Sequence, residues 1–480
     1  MNDRNAGDHS CDAAGGGMSS PHVRLGTAII VALFVAAACT SAANPAPVVT
    51  PATIGPITVA PTKTPAVVVQ DPDPTPEPID DGWHTLAFED GAFGLIEAAT
   101  FVGTDLVGVG RGGCVPDYDD PTNCYGAAWT ASGGQGWIRA PDQPGLEVGV
   151  RFPSGGPEKG IFDIAAGPAG FVAIGYDYDP PPSSCRVAPC RSGPGIWRSK
   201  DGRAWERMPV DLGPSSDRYL LPPIAAIAAG PQGYVIVGHA IDREAAGSKI
   251  SGRAAAWTSP DGVDWTRAAD TDEMDVGPCH QTSETAECGG MRAVVATAAG
   301  YVAVGQARTG LAFDRTRPAA WTSPDGLTWT RADAGRFKGW LSGVTSGGPG
   351  VVAVGTICQP DCTGPASGGV AATSADGTGW TSAPVPGAAG LRAVAGNGPL
   401  FALGLSSDED YAVTELQLWR SHDGINWLRE PGLPAALRST VPRGLDIAAA
   451  PDRVIVVGWE EASVDDSFQN FAYTSPVFTP

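Results

Sequence analysis

AAWTSPDGVDW (255–265) and AAWTSPDGLTW (319–329) are two copies of one sentence in this chain. Four more follow the same grammar: AAWTASGGQGW (127–137), GIWRSKDGRAW (195–205), VAATSADGTGW (370–380) and QLWRSHDGINW (417–427). FAYTSP (471–476) begins a seventh and stops. Each copy runs from an aromatic through Ser-x-Asp-Gly to a Trp. The first copy lacks the Asp, and Ala372 replaces the first Trp of the fifth. The segment predicts two short strands joined by a tight turn. The Asp carboxylate accepts turn N–H groups and the Gly takes a positive φ.

Upstream of each copy lies an apolar strand ending in Gly: LVGVG (106–110), FVAIG (171–175), YVIVG (234–238), YVAVG (301–305), VVAVG (351–355), LFALG (400–404) and VIVVG (454–458). Before that comes a further strand and turn, as in FDIAAGPAG (162–170) and AAIAAGPQG (225–233). The unit is therefore four short strands, rich in β-branched and aromatic residues and bounded by Gly, Pro and Asp. Four-stranded repeats of this period predict an all-β, seven-bladed β-propeller over residues 80–480. The seventh unit lacks its fourth strand. DDGWHTL (80–86) reads as the missing piece, with Trp83 in the Trp position. An N-terminal strand that closes the last blade removes two exposed sheet edges. Most of the 14 Trp fall in the repeat and are expected between blades.

The WTSPDGxxW units resemble the Asp-box repeat of bacterial neuraminidase-type propellers, in a variant one residue shorter between Asp and Gly. The resemblance implies the fold, and implies a structural place for Asp201, Asp261, Asp325, Asp376 and Asp423 in the hairpin turns, away from any reaction centre. Sialidases clamp a carboxylate with three arginines and use a Tyr–Glu nucleophile pair. Residues at the predicted channel entrance are Glu97, Asp163, Arg292, Arg392, Arg443 and Asp446. Arg292, Arg392 and Arg443 are thus the candidates for a carboxylate clamp, since guanidinium binds carboxylate in a two-pronged fork. Mutual neutralisation with the acids is the other reading. The Phe/Tyr-Arg-Ile-Pro segment of sialidases is missing, and sialidases have six blades.

The 64 Gly and 44 Pro run at nearly twice ordinary usage and disfavour helices. Only 31 basic residues stand against a net charge of −21, which disfavours nucleic acid as a partner. Residues 25–38, LGTAIIVALFVAAA, fit a signal-peptide core better than a membrane span. The run ends Ala36-Ala37-Ala38-Cys39 and resembles the lipobox of exported bacterial lipoproteins, here of actinobacterial type. That resemblance implies a signal peptide over 1–38, with the true start possible at Met18, and a lipid on Cys39. Secretory cleavage and a transmembrane anchor are the alternatives. Residues 39–79 form a Pro/Thr-rich linker, expected to be extended and disordered. The expected address is the outer side of the cell membrane, and the expected state a monomer.

Eight further cysteines fall in adjacent pairs: Cys114/Cys124, Cys185/Cys190, Cys279/Cys288 and Cys358/Cys362. Export makes disulfides the natural reading. In a propeller blade, the second-to-third and fourth-to-first connections share a face. Here those connections are long and dissimilar, and they carry all four cysteine pairs. This long-loop face is the expected recognition surface for a glycan, peptide or protein. It is also acidic. Asp117, Asp119 and Asp120 have a spacing that could gather calcium, although a solvated surface explains them as well. No other cofactor is implied. GxSxG, HExxH and P-loop motifs are absent. The expected function is non-enzymatic binding or scaffolding. The alternatives are a sialidase-type hydrolase and an assembly factor resembling the photosystem II assembly-factor propellers.

Overall fold

The computed structural model describes residues 83–88, 94–112, 125–132, 136–146, 160–178, 192–210, 212, 224–243, 250–281, 286–310, 316–358, 368–396, 398–407, 413–430, 444–461 and 468–475. All lie in one compact unit, Asp73–Pro480. They form seven antiparallel sheets, each with a core of four strands, in the blade order expected of a seven-bladed propeller. The innermost strands are Gly94–Val102, Ile161–Gly167, Ile224–Gly230, Gly290–Thr297, Gly339–Gly347, Gly390–Gly396 and Gly444–Ala449, for blades 1 to 7. The hydrophobic core lies between blades. Val107 and Val109 of blade 1, for example, pack in one buried cluster with Ile164, Phe171 and Trp197 of blade 2. Each fully buried Val or Ile of this kind contributes roughly 1.5–3 kcal/mol.

The five complete Ser-x-Asp-Gly turns are built alike. In blade 4, Asp325 Oδ1 accepts from the N–H groups of Leu327 (2.8 Å) and Thr328 (2.7 Å). Ser323 Oγ accepts from Gly326 N–H (2.8 Å), and Trp329 Nε1 donates to the Gly326 carbonyl (2.9 Å). Gly326 sits at φ 76°. A Cβ there would lie 2.6 Å from Val235 Cγ2 of the preceding blade. Gly202, Gly262, Gly377 and Gly424 likewise have positive φ and face Val107, Val172, Val302 and Val352. The turn glycine therefore answers two demands: a left-handed backbone, and a close seat on the neighbouring blade's second strand.

A second regularity was hidden in the sequence. In blades 1 to 6 the innermost strand bulges by one residue near its start: Glu97, Phe162, Ala225, Arg292, Ser342 and Arg392 have no partner across the ladder. The bulge lies opposite the glycine that ends each apolar second strand. A Cβ on Gly110, Gly175, Gly305, Gly355 or Gly404 would overlap the carbonyl oxygen two residues before the bulge. The repeated final Gly of the LVGVG-type strands is thus the space into which the bulge folds.

The ring closes through the N-terminus. His84 and Thr85 pair with Thr474 and Tyr473 of the last blade. Leu86 N–H then donates to the Ala472 carbonyl (2.9 Å). The chain next crosses to blade 1, where the Ala87 carbonyl accepts from Trp137 N–H (2.7 Å). Trp83 packs against the blade 6–blade 7 cluster. One short segment therefore binds both sides of the seam. At the mouth side of the same seam, Asn470 of blade 7 hydrogen-bonds both Ile96 N–H and the Gly94 carbonyl of blade 1.

Two of the long connections carry strand. In blade 3 the second and third strands, Gly233–Arg243 and Ile250–Ser259, pair along their whole length, so most of 239–253 is a β-ribbon. The connection 267–291 holds a strand, Asp275–Pro278, that pairs with the blade's third strand, and a hairpin of His280–Gln281 with Ala286–Glu287. Met274 and Val276 are buried in the blade 3–blade 4 core, which gives this insertion its own apolar anchor.

Deleting residues 80–90 is expected to lower the melting temperature of the whole ring; an unchanged melting temperature would refute closure by this segment. Gly355→Ala, which drives a Cβ into the Trp340 carbonyl, is expected to cost about 1–3 kcal/mol. Gly379→Ala, with nothing within 4 Å, is expected to be near neutral in the same urea titration.

Candidate functional site

The innermost strands of all seven blades enclose a central cavity of about 1230 Å³. Each such strand starts on the long-loop face, and its bulge lies near that start. All six bulged residues line the cavity. The bulge is thus the device that sets selected side chains at one mouth of the channel.

Arg292 and Arg392 hold the equivalent bulge position in blades 4 and 6. Both side chains are exposed to the channel. Arg292 lies over the indole of Trp340 on blade 5, 5.8 Å from the ring centroid, a favourable arrangement of a cation on an aromatic face. The enclosing walls lower the pKa of Arg392 by desolvation, and the group stays a cation at any ordinary pH. Beside Arg292, His239 is pushed down to about 3, first by burial and then by the Arg292 charge. It is therefore a neutral imidazole at pH 7. Arg443 lies outside the described residues.

The cavity carboxylates are already engaged. Glu97 does not face the mouth arginines. It is buried and forms an ion pair with Arg111 (2.6 Å), whose guanidinium in turn lies 5.1 Å from the ring centroid of Trp459 on blade 7. Asp163 on blade 2 accepts from its own neighbour Ile164 N–H (2.8 Å) and from Ile227 N–H of blade 3 (2.8 Å). Asp446 on blade 7 accepts from Ala99 N–H of blade 1 (3.0 Å) and from Ile447 N–H. Desolvation raises Asp446 to about 6, against the lowering effect of those hydrogen bonds. These two acids are inter-blade rivets. The charged side chains among the described cavity residues of blades 4 to 6 are Arg292 and Arg392.

Cys279 and Cys288 form a disulfide that closes the blade 3–blade 4 insertion, and Cys288 lines the same cavity as Arg292, four residues before it in sequence. Cys358 is disulfide-bonded to a cysteine outside the described residues. It directly follows the second strand of blade 5, on the same face. Cys39, Cys114, Cys124, Cys185, Cys190 and Cys362 lie outside the described residues, as do Asp117, Asp119 and Asp120. Among the described residues no group of three His, Cys, Asp or Glu gathers as a metal site would require. Asp201, Asp261, Asp325, Asp376 and Asp423 sit in the hairpin turns of the opposite face, each held below the usual carboxylate range with turn N–H bonds among the causes.

Trp340 escaped the sequence reading, yet a signal was available. Once the repeat positions and Trp83 are set aside, Trp340 and Trp459 are the two tryptophans left over. Each carries an arginine on its face.

No family model matches this chain, and no curated protein is similar to it. Its fold is similar to several solved structures. A protein of unknown function from Dyadobacter fermentans is 15% identical over 82% of this chain and 99% of that one, with a TM-score of 0.41. The polysaccharide lyase Uly1 is 12% identical over 79% and 89%, with a TM-score of 0.47. Trypanosoma rangeli sialidase, in complex with sialic acid, is 11% identical over 82% of this chain and 56% of its own, with a TM-score of 0.37.

Proposed function

We propose that this chain is a non-enzymatic binding propeller, anchored outside the cell membrane by a lipid on Cys39, that holds an anionic glycan, peptide or protein group at the channel mouth on its long-loop face. The observation that carries this reading is the division of charge around the cavity. Glu97, Asp163 and Asp446 are each committed to a partner within the protein. Among the described residues Arg392 forms no ion pair, and Arg292 rests on an indole. A chain with net charge −21 that keeps two guanidiniums in the mouth of its ring has a local reason to do so. The disulfide whose Cys288 lines the same cavity supports the reading, because a closed loop loses less freedom on binding.

Hydrolysis of the sialidase type has less support. It needs a tyrosine nucleophile in reach of a glutamate. The cavity's Glu97 turns to Arg111 within blade 1, while the Tyr176 hydroxyl donates toward the Ile224 carbonyl of blade 3 (3.4 Å). The two groups diverge.

The deciding experiment pairs a glycan array with a fluorogenic sialoside assay. Retention of uronate- or sialate-bearing glycans is expected, with no turnover, and Arg392→Ala is expected to weaken retention at least tenfold at unchanged melting temperature. Sialoside turnover that Arg292→Ala abolishes would replace binding by catalysis. Retention indifferent to both arginines would move the site elsewhere.

A further inference from the structure

The innermost strand of each blade has a free edge toward the channel, and its outward N–H groups need partners. The N–H two residues past the bulge is one of them. In blade 3 this is Ile227, and it donates to the Asp163 carboxylate (2.8 Å). In blade 1 it is Ala99, and it donates to the Asp446 carboxylate (3.0 Å). Each of these acids also accepts the equivalent N–H of its own blade, Ile164 and Ile447. Two aspartates thereby cap this one position in four consecutive blades, 7, 1, 2 and 3. The position is a carboxylate seat, and the protein fills it four times with its own side chains.

Blades 4, 5 and 6 share the bulge register. Their equivalent residues are Val294, Val344 and Val394, all lining the cavity. The residue that supplies the acid in blades 2 and 7 corresponds to Ala293, Gly343 and Ala393, none of which can cap anything. Gly343 could not be enlarged freely, since a Cβ there would stand 3.3 Å from Val394 N and 3.1 Å from the Arg392 carbonyl. These three blades also carry Arg292 and Arg392. The acids are thus missing where the cations are present.

We infer that the main-chain N–H groups of Val294, Val344 and Val394 are the seat for a ligand carboxylate, which takes in blades 4 to 6 the place that Asp163 and Asp446 take in the rest of the ring. The inference rests on the reading of this mouth as an anion site and narrows it. Arg292 and Arg392 draw the ligand in by charge. The strand-edge amides select a carboxylate by geometry, since an oxygen that fits the seat is one Asp163 already models at 2.8 Å. Neutral sugars and esters have no charge to offer these groups. Hydrogen bonds to a charged acceptor are the stronger class.

Because all three residues are valine, the full chain labelled with 15N-valine reports on the seat directly. The probe is D-glucuronate, with glucuronamide as its neutral counterpart. Glucuronate is expected to shift at least one of the three amide signals saturably, glucuronamide none. Ala293→Asn sets a neutral oxygen in reach of Val344 N–H without changing the charge of the mouth. It is expected to weaken glucuronate binding about tenfold in calorimetry while the melting temperature holds. Glucuronate that binds and is lost with Arg392→Ala, yet leaves all three amides unmoved, would overturn this inference and leave the anion site standing. Equal binding of glucuronamide would overturn it as well. Absence of binding by glucuronate and by every anionic glycan would remove both.

Discussion

The contact on which this molecule turns is a carbonyl oxygen against a glycine α-carbon. In each of five blades the carbonyl two residues before the bulge occupies the volume a Cβ would need on the second strand. Without that space the innermost strand would pair straight through, and its side chains would alternate evenly between the two sides of the blade. With it, one residue per blade is released from the ladder at a fixed height in the channel. Packing between blades depends on the same frame, because the second-strand valine three residues before that glycine receives the glycine of the next blade's Asp-box turn. The mouth and the core are therefore set by two glycine positions in each repeat, one at the end of the second strand and one in the third-to-fourth-strand turn.

Seven near-equivalent blades make a ring that is uniform by construction, and function requires that it be made uneven. The bulge position does this cheaply. Released from the ladder, it accepts Glu97, Phe162, Ala225, Arg292, Ser342 or Arg392 on the same backbone. The position after it accepts Asp163 and Asp446 or Ala and Gly with equal tolerance. Charge is thereby sorted around the ring with no change of fold. The cost appears at Asp446, where desolvation holds the carboxyl near pH 6 and the hydrogen bond to Ala99 N–H carries a partly titrating group. A carboxyl raised in this way favours the folded ring below its unfolded value. That contribution is lost as pH rises through 6. The Asp-box carboxylates run the other way. Their pKa values are lowered from 3.8, so their contribution is present above that value and lost as pH falls.

Blade number, the turn chemistry and the closing strand were legible in the chain because each is a local pattern repeated many times. AAWTSPDGVDW carries its hairpin in eleven residues, and DDGWHTL carries enough of the same pattern to name its partner across the ring. The bulge was not legible, because it is a relation between two strands and leaves only a glycine as its trace. The same glycine could be read as an ordinary strand terminator. The ribbon formed by 239–243 and 250–254 was not legible, because its residues are too mixed to alternate cleanly, while the ladder that holds them is backbone alone. Arg292 and Arg392 stand 13 and 12 residues before the glycine of the second strand, Gly305 and Gly404, and that spacing marks them in the sequence as equivalent. Glu97 was grouped with them, although its partner Arg111 lies across the same blade, at a distance in sequence that no periodicity marks.

The aspartate rivets bear on how such a ring acquires a site at all. A channel-edge N–H must be satisfied by water, by the protein or by something bound. Where neighbouring blades need to be held at a seam, an internal carboxylate does so, as Asp446 does at the junction of blades 7 and 1. Asp163 does the same between blades 2 and 3, which follow one another in sequence, whereas blades 4 to 6 carry Ala293, Gly343 and Ala393 at that position and lack the acid. Its loss leaves a position already shaped for a carboxylate and open to the channel. The acids of blades 2 and 7 thus satisfy one arc of the ring, and the arginines stand on the remaining arc, over blades 4 to 6.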